Sequence, residues 1–329
     1  MQKGTTRIWF YDNMKAILMF FVVFGHVIER WGNIAFLYKF IYLFHMPLFA
    51  FCSGYLAKNN PKKVLTDMVY PYVTFQILYY AFDKWVLGEE TAISFSRPNW
   101  IMWYMLAIIA WSLLLPLIEV GMTSKKGMII TVGISIALGI VVGFDEKVGY
   151  FLSTSRIFYF LPFFVVGFCI KKALKPEVFL NAMSKWYVKC SSGVLTTAIL
   201  VWFYFLHDKV AVYWLYGSYS YAEGGYHFTT RVLIYLCTFV ISIFAISIMP
   251  RKETAISYVG QRCIQIYLLH GFIIKLMVKY KVPNVENLKS GVLITLAAAI
   301  SFVIVFILSS KIVERVFGTL FSLSVAKQK

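Results

Sequence analysis

The chain has 329 residues, of which 60% are hydrophobic and 14% charged, and a formal net charge of +17. Soluble domains carry about 25% charged residues, so this composition excludes an ordinary water-soluble globular protein. The basic excess fits the Lys and Arg that cytoplasmic loops of membrane proteins collect, and no basic-aromatic module outside the apolar segments points to nucleic acid as a partner.

Apolar segments of about 20 residues recur along the chain and read as transmembrane helices, not as the alternating strands of a barrel. About ten spans are predicted, over 14–33, 35–57, 67–87, 100–120, 127–144, 154–171, 190–207, 227–249, 257–279 and 290–313. The third and ninth are the least apolar: Asp67, Asp83 and Lys84 interrupt one, and Arg262, Lys275 and Lys279 the other. The expected architecture is an all-α polytopic membrane protein, a single membrane-embedded domain over residues 1–329 with no appended soluble domain. The first span has no small-residue cleavage site and is read as uncleaved.

Loop charge sets the expected orientation. Lys58, Lys62 and Lys63 follow the second span, Lys125 and Lys126 the fourth, Lys171, Lys172, Lys175, Lys185 and Lys189 the sixth, and Arg251 and Lys252 the eighth. The alternate loops carry Glu89, Glu90, Asp145, Glu146, Asp208 and Glu223. The positive-inside rule then places the N and C termini in the cytoplasm. The loop after the ninth span breaks the rule, because Lys279, Lys281 and Lys289 would face outward.

In chain order, the first unusual group is Arg7 with Asp12 and Lys15, at the cytoplasmic start of the first span. It reads either as ordinary anchoring with a compensating acid or as a binding site. His26 follows about 12 residues into that span, roughly 18 Å deep at 1.5 Å per residue. His45, in the second span, and His270, in the ninth, fall at a similar depth by the same arithmetic. Ionisable groups inside a membrane usually face a site or a water-filled cavity. A lone buried histidine is also commonly a packing residue bonded to a carbonyl, and that reading stays open for all three.

His26 differs from the other two because Glu29 stands one helical turn on. A carboxylate beside an imidazole fixes its tautomer and stabilises the imidazolium, as a general base requires. Glu29 also fits a plain interfacial charge. Pro47, two residues after His45, removes a backbone hydrogen bond and is expected to bend the second span.

On the outer side, Trp103, Tyr104, Arg156 and Arg231 are candidates for substrate contact, although either arginine is equally a snorkelling residue. The stretch 208–226 is rich in Tyr, Trp and Gly. It reads as an interfacial belt or as a lid whose rings stack on sugars. The five cysteines show no paired or metal-ligand spacing and are read as packing residues. No His and carboxylate set at helical spacing supplies three ligands, so no metal is expected.

Several of these pieces together resemble the integral-membrane acyltransferase-3 family of polysaccharide O-acetyltransferases. They are Arg7…Asp12…Lys15, Gly25-His26, Phe44-His45-Met46-Pro47-Leu48-Phe49, Ser53-Gly54-Tyr55, Pro71-Tyr72, Trp103-Tyr104-Met105-Leu106, Arg156 with Phe160-Leu161-Pro162-Phe163-Phe164 and Gly167, and Tyr267-Leu268-Leu269-His270. They cover nearly the whole chain in family order. The resemblance implies ten core helices and acyl transfer from a cytoplasmic donor, usually acetyl-CoA, to a saccharide hydroxyl. It implies that His26 is catalytic and that the Arg7 region serves the donor. Many members have a basic residue just before the Pro-Tyr pair; here Asp67-Met68-Val69-Tyr70 stands there, and Lys62 and Lys63 are the substitute cations for CoA phosphates.

The expected function is therefore O-acetyl transfer from acetyl-CoA to a lipid-linked or polymeric saccharide in the bacterial cytoplasmic membrane. His26 and Glu29 are the expected catalytic pair, His26 as general base or, on an acyl-enzyme route, His26 or a nearby hydroxyl as carrier of the acetyl group, and His45, Tyr104 or Arg156 is the expected oxyanion donor. Arg7, Asp12, Lys15, Lys62 and Lys63 are assigned to the donor, and Trp103, Tyr104, Arg156, Arg231 and His270 to the acceptor. The rival readings are a transporter or flippase, which predicts paired broken helices in two similar halves, and a non-catalytic sensor or scaffold. Apart from membrane lipids and the saccharide, no partner is legible, and neither is an oligomeric state.

Overall fold

Eight described helices are long and apolar enough to cross a membrane, and the described residues contain no strand. The computed structural model describes residues 8–285 and 288–321; Arg7 lies outside them. The ten principal helices are α1 (Trp9–Ile28), α2 (Ala35–Leu56), α3 (Tyr70–Ala81), α4 (Trp103–Gly121), α5 (Lys125–Val141), α6 (Thr154–Ala173), α7 (Trp186–Leu206), α8 (Phe228–Ile248), α9 (Cys263–Lys279) and α10 (Ser290–Leu308). The chain is an all-α polytopic membrane protein.

The third and ninth predicted spans are the two that fall short. Helix α9 has 17 residues. The third segment is helical from Pro61 to Val86, but π-helical turns at Leu65–Val69 and Phe82–Val86 flank the 12-residue α3. One charge of each span is explained by the other. Asp83 is buried and receives the Lys275 ammonium at 2.7 Å and 2.9 Å on its two oxygens, with the Asn99 amide at 2.8 Å. A buried carboxylate is tolerable only with such partners.

Helix α1 is the axis of the bundle. In α1, 72% of the apolar window is buried, against 17% in the peripheral spans that contain α5 and α7. It packs on α2, α9, α10 and the short helix Ser257–Gln261. Asn13 fixes its start. The amide donates to the carbonyls of Pro250 and Lys252 at 3.0 and 2.9 Å, and its oxygen accepts from the hydroxyls of Ser257 and Thr254 at 2.6 and 2.7 Å. Every polar valence of this fully buried side chain is used.

Helices α2 and α6 approach closely because glycine stands where they touch. A Cβ at Gly54 would lie 1.9 Å from the Phe164 carbonyl oxygen, and one at Gly167 would lie 2.1 Å from that of Phe51. Small residues permit such backbone contact between membrane helices. Pro47 lies inside α2 without ending it. It withdraws the donor that would reach the Leu43 carbonyl four residues back. Thr238 of α8 supplies a replacement, its hydroxyl donating to that oxygen at 2.7 Å.

The start of α1 and the chain after α10 meet at one face. There Cys263 lies against the Lys15 carbonyl at 3.4 Å, and Arg262 holds Glu314 at 2.6 Å. The ends of α4 and α6 reach the same face, where Lys172 pairs with Glu119 at 2.9 Å. The stretch 208–226 lies at the opposite face and is tied down. Ser155 donates to the Gly217 carbonyl at 2.6 Å, Tyr221 to Ile140 at 2.7 Å and Trp214 to Gly224 at 2.7 Å.

Candidate functional site

A cavity of about 830 Å³ opens at the face opposite the start of α1. It lies between the C-terminal ends of α1 and α9 and the turn Trp100–Met102 that leads into α4. His26, Glu29, Arg30, Trp100, Lys275 and Lys281 are among the residues that line it. A helix places residues three apart on one face. The Nδ1 of His26 accordingly meets the Glu29 carboxylate at 3.2 Å. In the neutral ring, Nδ1–H donating to the carboxylate leaves the Nε2 lone pair free.

Two further rings confine the imidazole. Trp100 stands 4.5 Å away, tilted by 63°, and His270 of α9 stacks at 5.5 Å and 28°. His270 is fully buried; its Nδ1–H donates to the Ile266 carbonyl at 3.0 Å, and its Nε2 has no partner. The equal depths expected of His26 and His270 thus correspond to ring contact. His45 sits apart from the cavity lining. It is buried in α2, its Nδ1–H donates to the Ile41 carbonyl at 2.7 Å, and its ring meets Tyr42 at 4.7 Å. Tyr42 lies between the two sites, 6.5 Å from the His26 ring.

The aromatic wall continues from Tyr42 toward α6. Tyr42 packs on Tyr38 at 4.4 Å and on Tyr216 at 5.1 Å, and the Tyr38 and Tyr216 hydroxyls are bonded at 2.5 Å. Burial pushes the Tyr216 phenol up to about 12, so it stays protonated. The Arg156 guanidinium lies over Trp103, Tyr150 and Tyr216 at 5.0 to 5.7 Å, and its Nη2 reaches the Ser218 hydroxyl at 3.4 Å. Trp103 stacks on Phe160 at 5.3 Å, and the buried Tyr104 hydroxyl bonds that of Ser53 at 2.9 Å.

Arg231 is placed elsewhere. It is fully buried among Tyr159, Tyr221 and Tyr226, and it donates to the Gly139 carbonyl at 3.0 Å and the Tyr226 hydroxyl at 2.5 Å. In that position it secures the aromatic stretch.

The described residues assigned to the donor, Asp12, Lys15, Lys62 and Lys63, are at the other face. Asp12 is buried and pairs with Lys15 at 3.0 Å. Lys62 and Lys63 stand exposed at the start of the segment that leads to α3. Among the described residues no group of three or more His, Cys, Asp or Glu is placed to hold a metal.

Sequence reasoning missed Trp100 and Tyr42 at the site. One is the first residue of a predicted span and the other lies in a continuous apolar run. In each case the signal was an aromatic residue at the depth of a buried histidine. It also saw Asp83 and Lys275 only as blemishes in two spans, although opposite charges in two weak spans are themselves a pairing signal.

Comparison with curated proteins and with solved structures gives no match. The acyltransferase-3 profile, described as an acyltransferase domain, matches residues 8–310, nearly all of the chain. The match runs through every principal helix and includes the His26–Glu29 pair. The chain belongs to the acyltransferase-3 family and is a multi-pass membrane acyltransferase.

Proposed function

We propose that this acyltransferase moves an acetyl group from acetyl-CoA to a hydroxyl of a saccharide, with His26 as the general base. The observation that carries the proposal is the 3.2 Å contact of His26 Nδ1 with Glu29 at the cavity wall. The pair leaves Nε2 basic and stabilises the imidazolium that forms when it takes a proton.

Acetyl-CoA binds at the face where α1 begins, which lies in the cytoplasm of a bacterial cell. Lys15, Lys62 and Lys63, together with Arg7, meet its phosphates, and Asp12 orients Lys15. From Lys15 to His26 is roughly 16 Å along α1 at 1.5 Å per residue, a span that an extended pantetheine arm covers. The saccharide, lipid-linked or polymeric, enters the cavity at the other face, where Trp100 offers an aromatic surface beside the imidazole.

The acceptor hydroxyl passes its proton to His26 Nε2 as its oxygen bonds the thioester carbonyl carbon. The carbon–sulfur bond then breaks, the ester leaves on the saccharide, and the CoA thiolate recovers the proton from the imidazolium. His270, with its Nδ1–H committed to the Ile266 carbonyl, offers Nε2 as an acceptor for a substrate N–H or O–H. Arg156, held among Trp103, Tyr150 and Tyr216, is the cation assigned to the developing oxyanion. Purified protein incubated with acetyl-labelled CoA and cell-envelope glycans tests the reading. Labelled glycan together with free CoA supports it, and intact donor with well-folded protein sinks it.

A further inference from the structure

The lysines that break the positive-inside rule gather, in part, at the cavity. Lys279 and Lys281 line it together with Arg30 and Lys275. Two of these four cations have structural work. Lys275 neutralises Asp83 at 2.7 Å, and Lys279 donates to the Val86 carbonyl at 2.6 Å near the end of its own helix. Arg30 and Lys281 have neither role. Both are exposed and form no ion pair among the described residues. The lining also holds two carboxylates, of which Glu29 is engaged with His26, while Glu89 stands exposed.

The backbone at Lys281 is a second, independent observation. Helix α9 ends in a Schellman motif: the Val282 N–H bonds the Met277 carbonyl at 2.9 Å and the Lys281 N–H that of Val278 at 3.3 Å. Lys281 occupies the left-handed position of that motif, at φ +51°. Glycine is the ordinary residue there because a Cβ is disfavoured. A long cationic side chain has taken the place of glycine at the cavity rim, on the face where lysine is scarce.

We propose that the acceptor carries an anionic group, a phosphate or a carboxylate of an acidic sugar, and that Lys281 and Arg30 bind it while His26 addresses a nearby hydroxyl. This rests on the reading of the cavity as the acceptor site. The donor's own phosphates are assigned to the opposite face, so the two anions are held by different residues. Arg30 presents a planar fork suited to either anion, and Lys281 a point charge.

The test is equilibrium binding to the full-length protein in detergent, without acyl donor, of three fluorescent oligosaccharides: phosphate-bearing, uronate-bearing and neutral. The wild type is expected to bind at least one charged probe ten times or more tighter than the neutral one, with the preference weakening as salt rises. The Arg30→Gln/Lys281→Gln double variant loses the preference, Lys281→Arg keeps it, and CoA binding is unchanged in both. Which charged probe wins identifies phosphate or carboxylate. Equal binding of all three probes overturns the proposal, as does a preference that survives in the double variant. Loss of CoA affinity in that variant overturns it as well and reassigns the rim to the donor. Acetyl transfer to a neutral glycan, with no preference among probes, leaves the general function standing while this inference falls.

Discussion

The imidazoles of His26 and His270 stack at 5.5 Å and 28°, one from α1 and one from α9, each with its Nδ1–H already committed. Glu29 accepts the hydrogen bond from one and the Ile266 carbonyl that from the other. Both rings therefore present Nε2 lone pairs, but only His26 has a carboxylate to stabilise a positive charge. The two histidines share a place and differ in chemistry. On the proposed mechanism His26 cycles through the imidazolium, and His270 only accepts a hydrogen bond.

Replacing Glu29 with Gln keeps the side-chain shape and removes the charge. The amide stabilises the imidazolium less and no longer selects the tautomer. The expected result is a kcat lower by about 10²-fold with KM for CoA unchanged, on the scale of a positioned acid–base group. Steady-state release of CoA measures it.

His270→Leu keeps a buried apolar volume and removes the ring that packs on His26. Misplacement of a reacting group by about 1 Å costs on the order of 10²-fold. A loss of about tenfold or more in kcat, with a melting temperature close to wild type, is expected. An unchanged kcat assigns His270 to packing alone.

The Asp83–Lys275 pair predicts an asymmetry in stability. Lys275→Met leaves a buried carboxylate with only the Asn99 amide, and breaking a buried pair from one side costs about 3–5 kcal/mol. Asp83→Leu/Lys275→Met removes both charges, and most of the lost stability returns. Thermal unfolding of the two variants in detergent makes the comparison.

Thr238→Val deletes the hydroxyl that serves the Leu43 carbonyl freed by Pro47. A buried acceptor left without a partner costs about 1–3 kcal/mol. The loss is expected to shrink in Pro47→Ala/Thr238→Val, where the backbone donor is restored. Melting temperatures of the single and double variants form the cycle.

The fold was legible because lipid demands apolar helices of fixed length, and the two weak spans are those with charges that meet each other. Asp83 and Lys275 were read apart, since periodicity carries no information on helix neighbours, and only their opposite charges in two weak spans pointed to the pair. His26 and Glu29 were legible from spacing alone, and the common depth of His26 and His270 from the rise of a helix. His45 shares that depth but turns its ring to Tyr42. A helix that is apolar all round, as α2 is, does not reveal which face meets a cavity. Trp100 was hidden for a related reason: in sequence it is one more tryptophan at a membrane interface. Arg231 read equally as a substrate contact and as a snorkelling residue, and neither reading foresaw the enclosing tyrosines, which come from parts of the chain that only the fold brings together.

The central claim is that His26 takes the acceptor's proton. The most direct measurement compares wild type and His26→Ala, with CoA binding and transfer of labelled acetyl to glycan followed on the same preparations. The account predicts that the variant binds CoA as the wild type does and loses transfer by about 10²-fold or more. Labelling of glycan at the wild-type rate by a variant that lacks this imidazole would contradict it.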